Sequence, residues 1–313
     1  MVKVAVLGAG ALGTLVAWAL AARCDVRLLV HDPGAEAAIA GRGGVTVAGE
    51  ALRALRVTRD PEATRDVALL VVAVKTYATI EALAPLRDAL AASATVLSLQ
   101  NGVDAASEIE TALGRRSGIA LGPTTEAATR LEPGVVRRAA TGTTHLGWAR
   151  SCDPGLAPDP LAAVATLFTN CGLRAAVARP IEPFAWAKLA INAAINPVTA
   201  LAGICNGVVL ERPALRERAA ALAREAYAVA RAEGIVLPFT DPVAAAERVM
   251  ALTATNRSSM LHDLECGRPT EIEAICGTIV RRAAMHRVAV PASQRAYDEV
   301  VDRAREVGAA AKA

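Results

Sequence analysis

Three polar residues interrupt the alanine-rich stretch FAWAKLAINAAINP (184–197): Lys188, Asn192 and Asn196. Spacing by four keeps them on one face of a helix, drifting about 40° per step at about 100° per residue. An ammonium has three donors and each carboxamide two donors and an acceptor, so burying them unpaired is costly. Taken alone, a lysine in an apolar stretch more often snorkels to the helix edge than does chemistry. Three polar groups on one face of a core-like helix are better explained by a common polar ligand. A lysine desolvated there has its pKa lowered toward neutrality, which suits a general acid for carbonyl reduction.

The N-terminal stretch VAVLGAGALGTLVAWAL supplies a matching cofactor signature. Gly8-Ala9-Gly10-Ala11-Leu12-Gly13 follows a strand directly and opens a helix, the placement that makes G-x-G-x-x-G specific for a dinucleotide. Gly8 makes the tight turn, Gly10 lets backbone approach a pyrophosphate, and Gly13 allows close helix–strand packing. The helix N-terminus offers free N–H groups to the anion. The second strand ends in LLVHDPG, with Asp32 19 residues beyond Gly13. A carboxylate there favours the ribose 2′-OH of NAD, but Asp-Pro-Gly is also ordinary turn chemistry. His31 is a weaker phosphate partner and Arg42 lies near, so NAD and NADP both remain open.

A second polar cluster lies in TNRSSMLHDLECGRPTEIEAIC. Thr270 and Glu273 read as a capping box opening a helix over 270–287, with Ile272, Ile275, Cys276, Ile279, Val280 and Ala283 as its apolar stripe. Glu271 then falls in the first turn, where the helix dipole favours a carboxylate. Ser258 and Ser259 precede a helix-breaking loop, where capping is the ordinary reading.

The elements that must carry these groups divide the chain in two. The first half alternates strands (2–7, 26–30, 66–74, 95–99, 118–121, 173–178) with helices (11–22, 78–91, 104–113), and has short β segments around Gly49. DVALLVVAV is a continuous apolar run, as in a strand buried on both faces of a parallel sheet. GVVRRAA and TTHLGWA flank Thr141-Gly142 and read as an antiparallel hairpin. From RPIEP (179–183) onward the periodicity is helical: 184–205, 213–233, 242–256, 270–287 and 291–307. The expected fold is α/β, an N-terminal Rossmann-type doubly wound sheet with an antiparallel edge (1–178), followed by an all-α domain (179–313).

Composition excludes other classes. The 313 residues are 53% hydrophobic, yet no uncharged apolar run reaches the roughly 18 residues of a membrane span. A strand beginning at residue 2 leaves no room for a signal peptide. Six scattered cysteines without C-x-x-C and four scattered histidines predict reduced thiols and no metal site. A net charge of +3 and nine aromatics give no basic face or stacking platform for nucleic acid. A soluble cytoplasmic protein is expected, with no membrane partner; a homodimer is compatible with the sequence.

Six blocks in order, LGAGALG, VVAVKTY, LQNGVD, GPTTEAA with GTTHLG, KLAINAAINPVTAL and SSMLHDLECGRPTEIE, resemble the ketopantoate reductases (2-dehydropantoate 2-reductases) nearly end to end. The resemblance implies NADPH-dependent reduction of the C2 ketone of ketopantoate to pantoate, for coenzyme A synthesis, with the cofactor in the cleft between a Rossmann and a helical domain. By that resemblance Lys188 is the proton donor, and Glu271 lies near the nicotinamide ribose and substrate. Asn192, Asn196 and Asn206 hold substrate and Ser259 contacts its carboxylate. Lys75, Asn101 and Ala128 match cofactor contacts, Asn101 also facing substrate. Two departures stand out. His31-Asp32 replaces the arginine that reads the 2′-phosphate, leaving NADH possible, and Glu126 stands where some members carry histidine. Either could mark a relative acting on another 2-oxo acid. A non-catalytic dinucleotide sensor is a more distant rival, lacking a DNA-reading helix or basic patch.

Overall fold

β-branched and leucine-rich runs make the central strands of the first half, and their burial on both faces makes them parallel neighbours. The computed structural model describes residues 1–115, 118–150, 152–155 and 159–310, and the chain divides into two compact units. The first, Met1–Gln100 with Ala105–Ile181, opens with β1 (Val2–Leu7), α1 (Ala11–Leu20), β2 (Cys24–Leu29), α2 (Pro33–Arg42), β3 (Thr46–Val47) and β4 (Arg56–Thr58). It continues through β5 (Leu69–Val72), α3 (Thr79–Leu83), β6 (Thr95–Ser98), α4 (Ala105–Leu113), β7 (Ile119–Leu121) and β8 (Ala127–Glu132). β9 (Val135–Ala140), β10 (Thr143–Trp148), α5 (Pro160–Asn170) and β11 (Arg174–Val177) complete it.

Eight strands form the main sheet in the order β11-β10-β7-β6-β5-β1-β2-β4. The run from β4 to β7 is parallel, and β10 turns antiparallel to β7 while pairing parallel with β11. This is the expected doubly wound sheet with an antiparallel edge. β3, β9 and β8 form a separate small sheet, and Val47 and Val136 from it pack with Leu15, Val16 and Leu20 of α1 in one core.

The hairpin expected across Thr141-Gly142 does not form. β9 pairs antiparallel with β8 across Pro133-Gly134 and gives its other edge to β3, whereas β10 leaves for the main sheet. Gly134, at φ 75, supplies the turn's left-handed residue. Gly142 instead runs against backbone, since a Cβ there would lie 2.1 Å from the carbonyl carbon of Thr125.

The second unit comprises Asn101–Asp104 and Glu182–Ala313. Its described helices are α6 (Glu182–Ala202), α7 (Val208–Glu211), α8 (Pro213–Ala232), α9 (Pro242–Leu252), α10 (Ser259–Glu265), α11 (Thr278–His286) and α12 (Pro291–Ala310). Thirteen residues of α6 are buried, so it is the central helix, with α8, α9, α10 and α12 packed around it. The expected capping box is absent. Residues 273–277 form a π-helical turn ahead of α11, and the Glu273 carboxylate accepts from Arg281 and from Tyr297 Oη (2.6 Å) instead of reaching back to Thr270. The apolar stripe nevertheless holds, with Ile272, Ile275, Cys276, Ile279 and Ala283 all buried. All six cysteines are free thiols. No described helix is long and apolar enough to cross a membrane, and no metal-ligating cluster occurs among the described residues.

Candidate active site

The Gly-rich turn of the first unit is built by close backbone approach. Gly8 adopts φ +108°, and a Cβ on it would meet Val74 at 2.9 Å. A Cβ on Gly13 would fall 1.9 Å from the Gly8 carbonyl oxygen, so only glycine lets α1 start this near β1. Gly10 differs: it is exposed, and its Cβ would meet nothing nearer than Ala73 O at 4.0 Å. The helix that begins at Ala11 has no side-chain cap and no acid in its first turn. Its leading N–H groups therefore lack an intrahelical or side-chain acceptor. Glycine where backbone must approach, open space at Gly10 and uncapped amides fit a dinucleotide pyrophosphate.

Around this turn, Gln100 fixes the strand ends. Its Nε2 donates to Val74 O (3.1 Å) and Thr79 Oγ1 (2.8 Å), and its Oε1 accepts from Ser98 Oγ (3.0 Å). The loop so held carries Lys75, which is partly buried. Ala128 lies on β8, opposite Arg138 of β9. His31 and Asp32 are exposed after β2, and Asp32 caps α2, accepting from Gly34 N (2.9 Å) and Ala35 N (3.2 Å). Glu126 is occupied structurally: its carboxylate takes a bidentate pair from Arg138 at 2.7 and 2.9 Å.

In the second unit the ladder of α6 meets a second polar segment. Asn192 Nδ2 donates to Asn101 Oδ1 (3.3 Å), and Asn101 Nδ2 donates to Glu271 Oε2 (2.9 Å). Glu271 is buried, 6% exposed. Lys188 stands one turn before Asn192 on the same face. Burial pulls its ammonium down from 10.5 to about 8, against the attraction of the Glu271 carboxylate. The structure thus brings Lys188, Asn192, Asn101 and Glu271 into one electrostatically connected group.

The other candidates are placed differently. Asn196 is buried a turn beyond Asn192. Asn206 is held in a neighbouring loop, its N–H on Asn256 O (3.0 Å) and its Nδ2 on Thr253 Oγ1 (2.9 Å). Its Oδ1 is buried without a partner, an unused acceptor. Ser259 is exposed as the first residue of α10, while Ser258 caps that helix through Leu261 N (3.2 Å) and accepts from Thr199 Oγ1 (2.7 Å). Asn206 and Ser259 make no hydrogen bond to the Lys188 group among the described residues.

Two supporting residues escaped sequence reasoning. Gln100 is one. The other is Asp104, whose Oδ1 accepts from Arg282 (2.6 Å) and Oδ2 from Thr278 (3.1 Å), tying the Asn101 segment to α11. Burial alone would raise the Asp104 carboxyl, but the Arg282 hydrogen bond and charge, with Thr278 and Arg281, hold it below the usual range. In sequence it stands before α4 and looks like a plain N-cap; only the basic pair Arg281-Arg282 far downstream hints otherwise.

Both halves match family models: residues 4–151 match that of ketopantoate reductase PanE/ApbA, and residues 181–304 that of its C-terminal domain. The 2-dehydropantoate 2-reductase of Halobacterium salinarum is 35% identical over 304 residues, covering 95% of this chain and 97% of that protein. The Archaeoglobus fulgidus protein of the same name is 37% identical over 283 residues, covering 90% of each. Among solved structures, the PanE/ApbA family ketopantoate reductase from Ralstonia eutropha JMP134 superposes with a TM-score of 0.87 at 29% identity, covering 97% of this chain and 99% of that one. Fold, Gly-rich turn and relatives define the class, an NAD(P)-dependent oxidoreductase acting on a CH–OH group. The chain belongs to the ketopantoate reductase PanE/ApbA family.

Proposed function

We propose that this protein reduces the C2 ketone of 2-dehydropantoate to pantoate, a step of pantothenate biosynthesis, with Lys188 as proton donor. Residues 1–178 are read as the dinucleotide-binding domain and 179–313 as the substrate domain. The observation carrying the reading is the group Lys188–Asn192–Asn101–Glu271: an ammonium whose proton is held loosely, beside carboxamides and one buried carboxylate.

Gly8–Gly13 would hold a reduced nicotinamide dinucleotide, with Lys75 and Ala128, and Asn101 by the family resemblance, as assigned contacts; when bound, that cofactor would supply the hydride. Lys188 donates a hydrogen bond to the ketone oxygen. As that oxygen becomes an alkoxide the proton crosses to it, and the neutral amine is later reprotonated from solvent. A pKa of about 8 leaves the lysine mostly charged at neutral pH while making it a stronger acid than an ordinary amine. Glu271 keeps the ammonium populated despite its burial. Asn192, Asn196, Asn206 and Ser259 are assigned to the hydroxyl and carboxylate of the substrate, the free Oδ1 of Asn206 being a ready acceptor for a hydroxyl.

A steady-state assay of ketopantoate beside a panel of 2-oxo acids tests the substrate, read as loss of reduced-nicotinamide absorbance. Lys188→Ala is expected to lower kcat by about 10²-fold or more while the protein stays folded and binds cofactor. Near-wild-type turnover in that variant would overturn the assignment.

A further inference from the structure

The end of β2 carries a specificity device that the rest of the cofactor turn does not share. In doubly wound sheets the residue here meets the adenosine ribose: an acid suits the 2′-hydroxyl of NAD, an arginine the 2′-phosphate of NADP. We infer that Asp32, with His31 in place of an arginine, makes this chain prefer NADH over NADPH. The inference rests on its being a nicotinamide-dependent reductase.

Three observations carry it. The amides that could cradle a 2′-phosphate at the start of α2, Gly34 N and Ala35 N, already donate to the two oxygens of Asp32. A helix start is an anion site only while its N–H groups are free, and this one is filled by the protein's own carboxylate. Asp32 is exposed, so its charge faces solvent where a phosphate dianion would have to settle. The one guanidinium of α2, Arg42, is committed elsewhere, its Nη1 on Pro133 O (2.6 Å) and its Nη2 on Glu132 (2.5 Å). His31 is exposed beside Asp32, and Arg59 is exposed just past β4. Neither lies on α2. Each Asp32 oxygen has a further lone pair for a ribose hydroxyl, which NADH possesses and NADPH has replaced.

The test is binding of each cofactor alone, by isothermal titration and by nicotinamide fluorescence, to wild type and two variants. Asp32→Ser removes the charge but keeps a residue that caps helices well; the double variant adds His31→Arg. Wild type should bind NADH about tenfold or more tighter than NADPH. Asp32→Ser should narrow that ratio by weakening NADH and strengthening NADPH, and the double variant should invert it. Tighter binding of NADPH by wild type, or a ratio unmoved by Asp32→Ser, would overturn the inference. If neither dinucleotide binds wild type, the reductase reading fails as well, a result distinct from a reversed preference.

Discussion

Replacing Lys188 with methionine is expected to make the protein more stable at neutral pH and nearly inactive. Burial carries the ammonium from 10.5 to about 8 even with Glu271 pulling the other way. At about 1.4 kcal/mol per pH unit, that is roughly 3 kcal/mol against folding with the lysine charged. Below about pH 8 the group is protonated in both states, and the folded protein bears the whole penalty. Between about 8 and 10.5 the folded state has released a proton that the unfolded chain still holds, so stability rises with pH. Above that range both forms are neutral and the penalty is gone. Methionine is similar in length and never charged. The variant should therefore gain about 1–3 kcal/mol at pH 7, less than the full figure because Glu271 loses its neighbouring cation. The gain should shrink toward zero as pH approaches 10.5. Urea unfolding of both proteins across that range, followed by circular dichroism and taken as a difference, cancels the other titrating groups. A variant less stable than wild type at neutral pH, or a difference that ignores pH, would refute the account of Lys188 as a desolvated ammonium.

The same group predicts a basic limb in the pH profile. Activity requiring a protonated Lys188 is full below about 8 and lost as pH rises through it. Glu271→Gln removes the charge that raises this pKa, so the limb should move to lower pH, on the order of one unit; a fixed limb would assign it to another residue. The glycines should separate fold from binding. Gly13→Ala drives a Cβ into the Gly8 carbonyl oxygen and should destabilise by about 3 kcal/mol or more. Gly10→Ala has room, so it should leave the melting temperature nearly unchanged while weakening dinucleotide binding about tenfold or more. Equal stability losses in the two variants would contradict the geometry.

Legibility differed from element to element for physical reasons. The doubly wound sheet could be read because strands buried on both faces leave continuous apolar runs, and the long helices of the second half because their apolar stripes recur at helical spacing. The short α7 and α10, the latter starting where the sequence suggests a helix-breaking loop, leave too few residues for a periodicity to show. The hairpin partner of β9 is ambiguous in sequence because strand-forming residues lie on both sides of each of two turns, Thr141-Gly142 and Pro133-Gly134. Choosing between them required knowing that β3 takes the far edge of β9. The capping box failed for a similar reason. Glu273 had a local partner in sequence, but Arg281 and Tyr297 were the donors in space.

By itself the sequence determined what depends on neighbours along the chain: the glycines that a strand-to-helix turn demands, and the shared face of Lys188, Asn192 and Asn196. Tertiary structure alone decided what that face meets. Asn101, 91 residues before Asn192, and Glu271, 170 residues beyond Asn101, come together through packing around α6, with Asp104 tying their segment to α11. Spacing specifies direction along one helix, whereas the field acting on an ammonium is set by every group that burial brings near it.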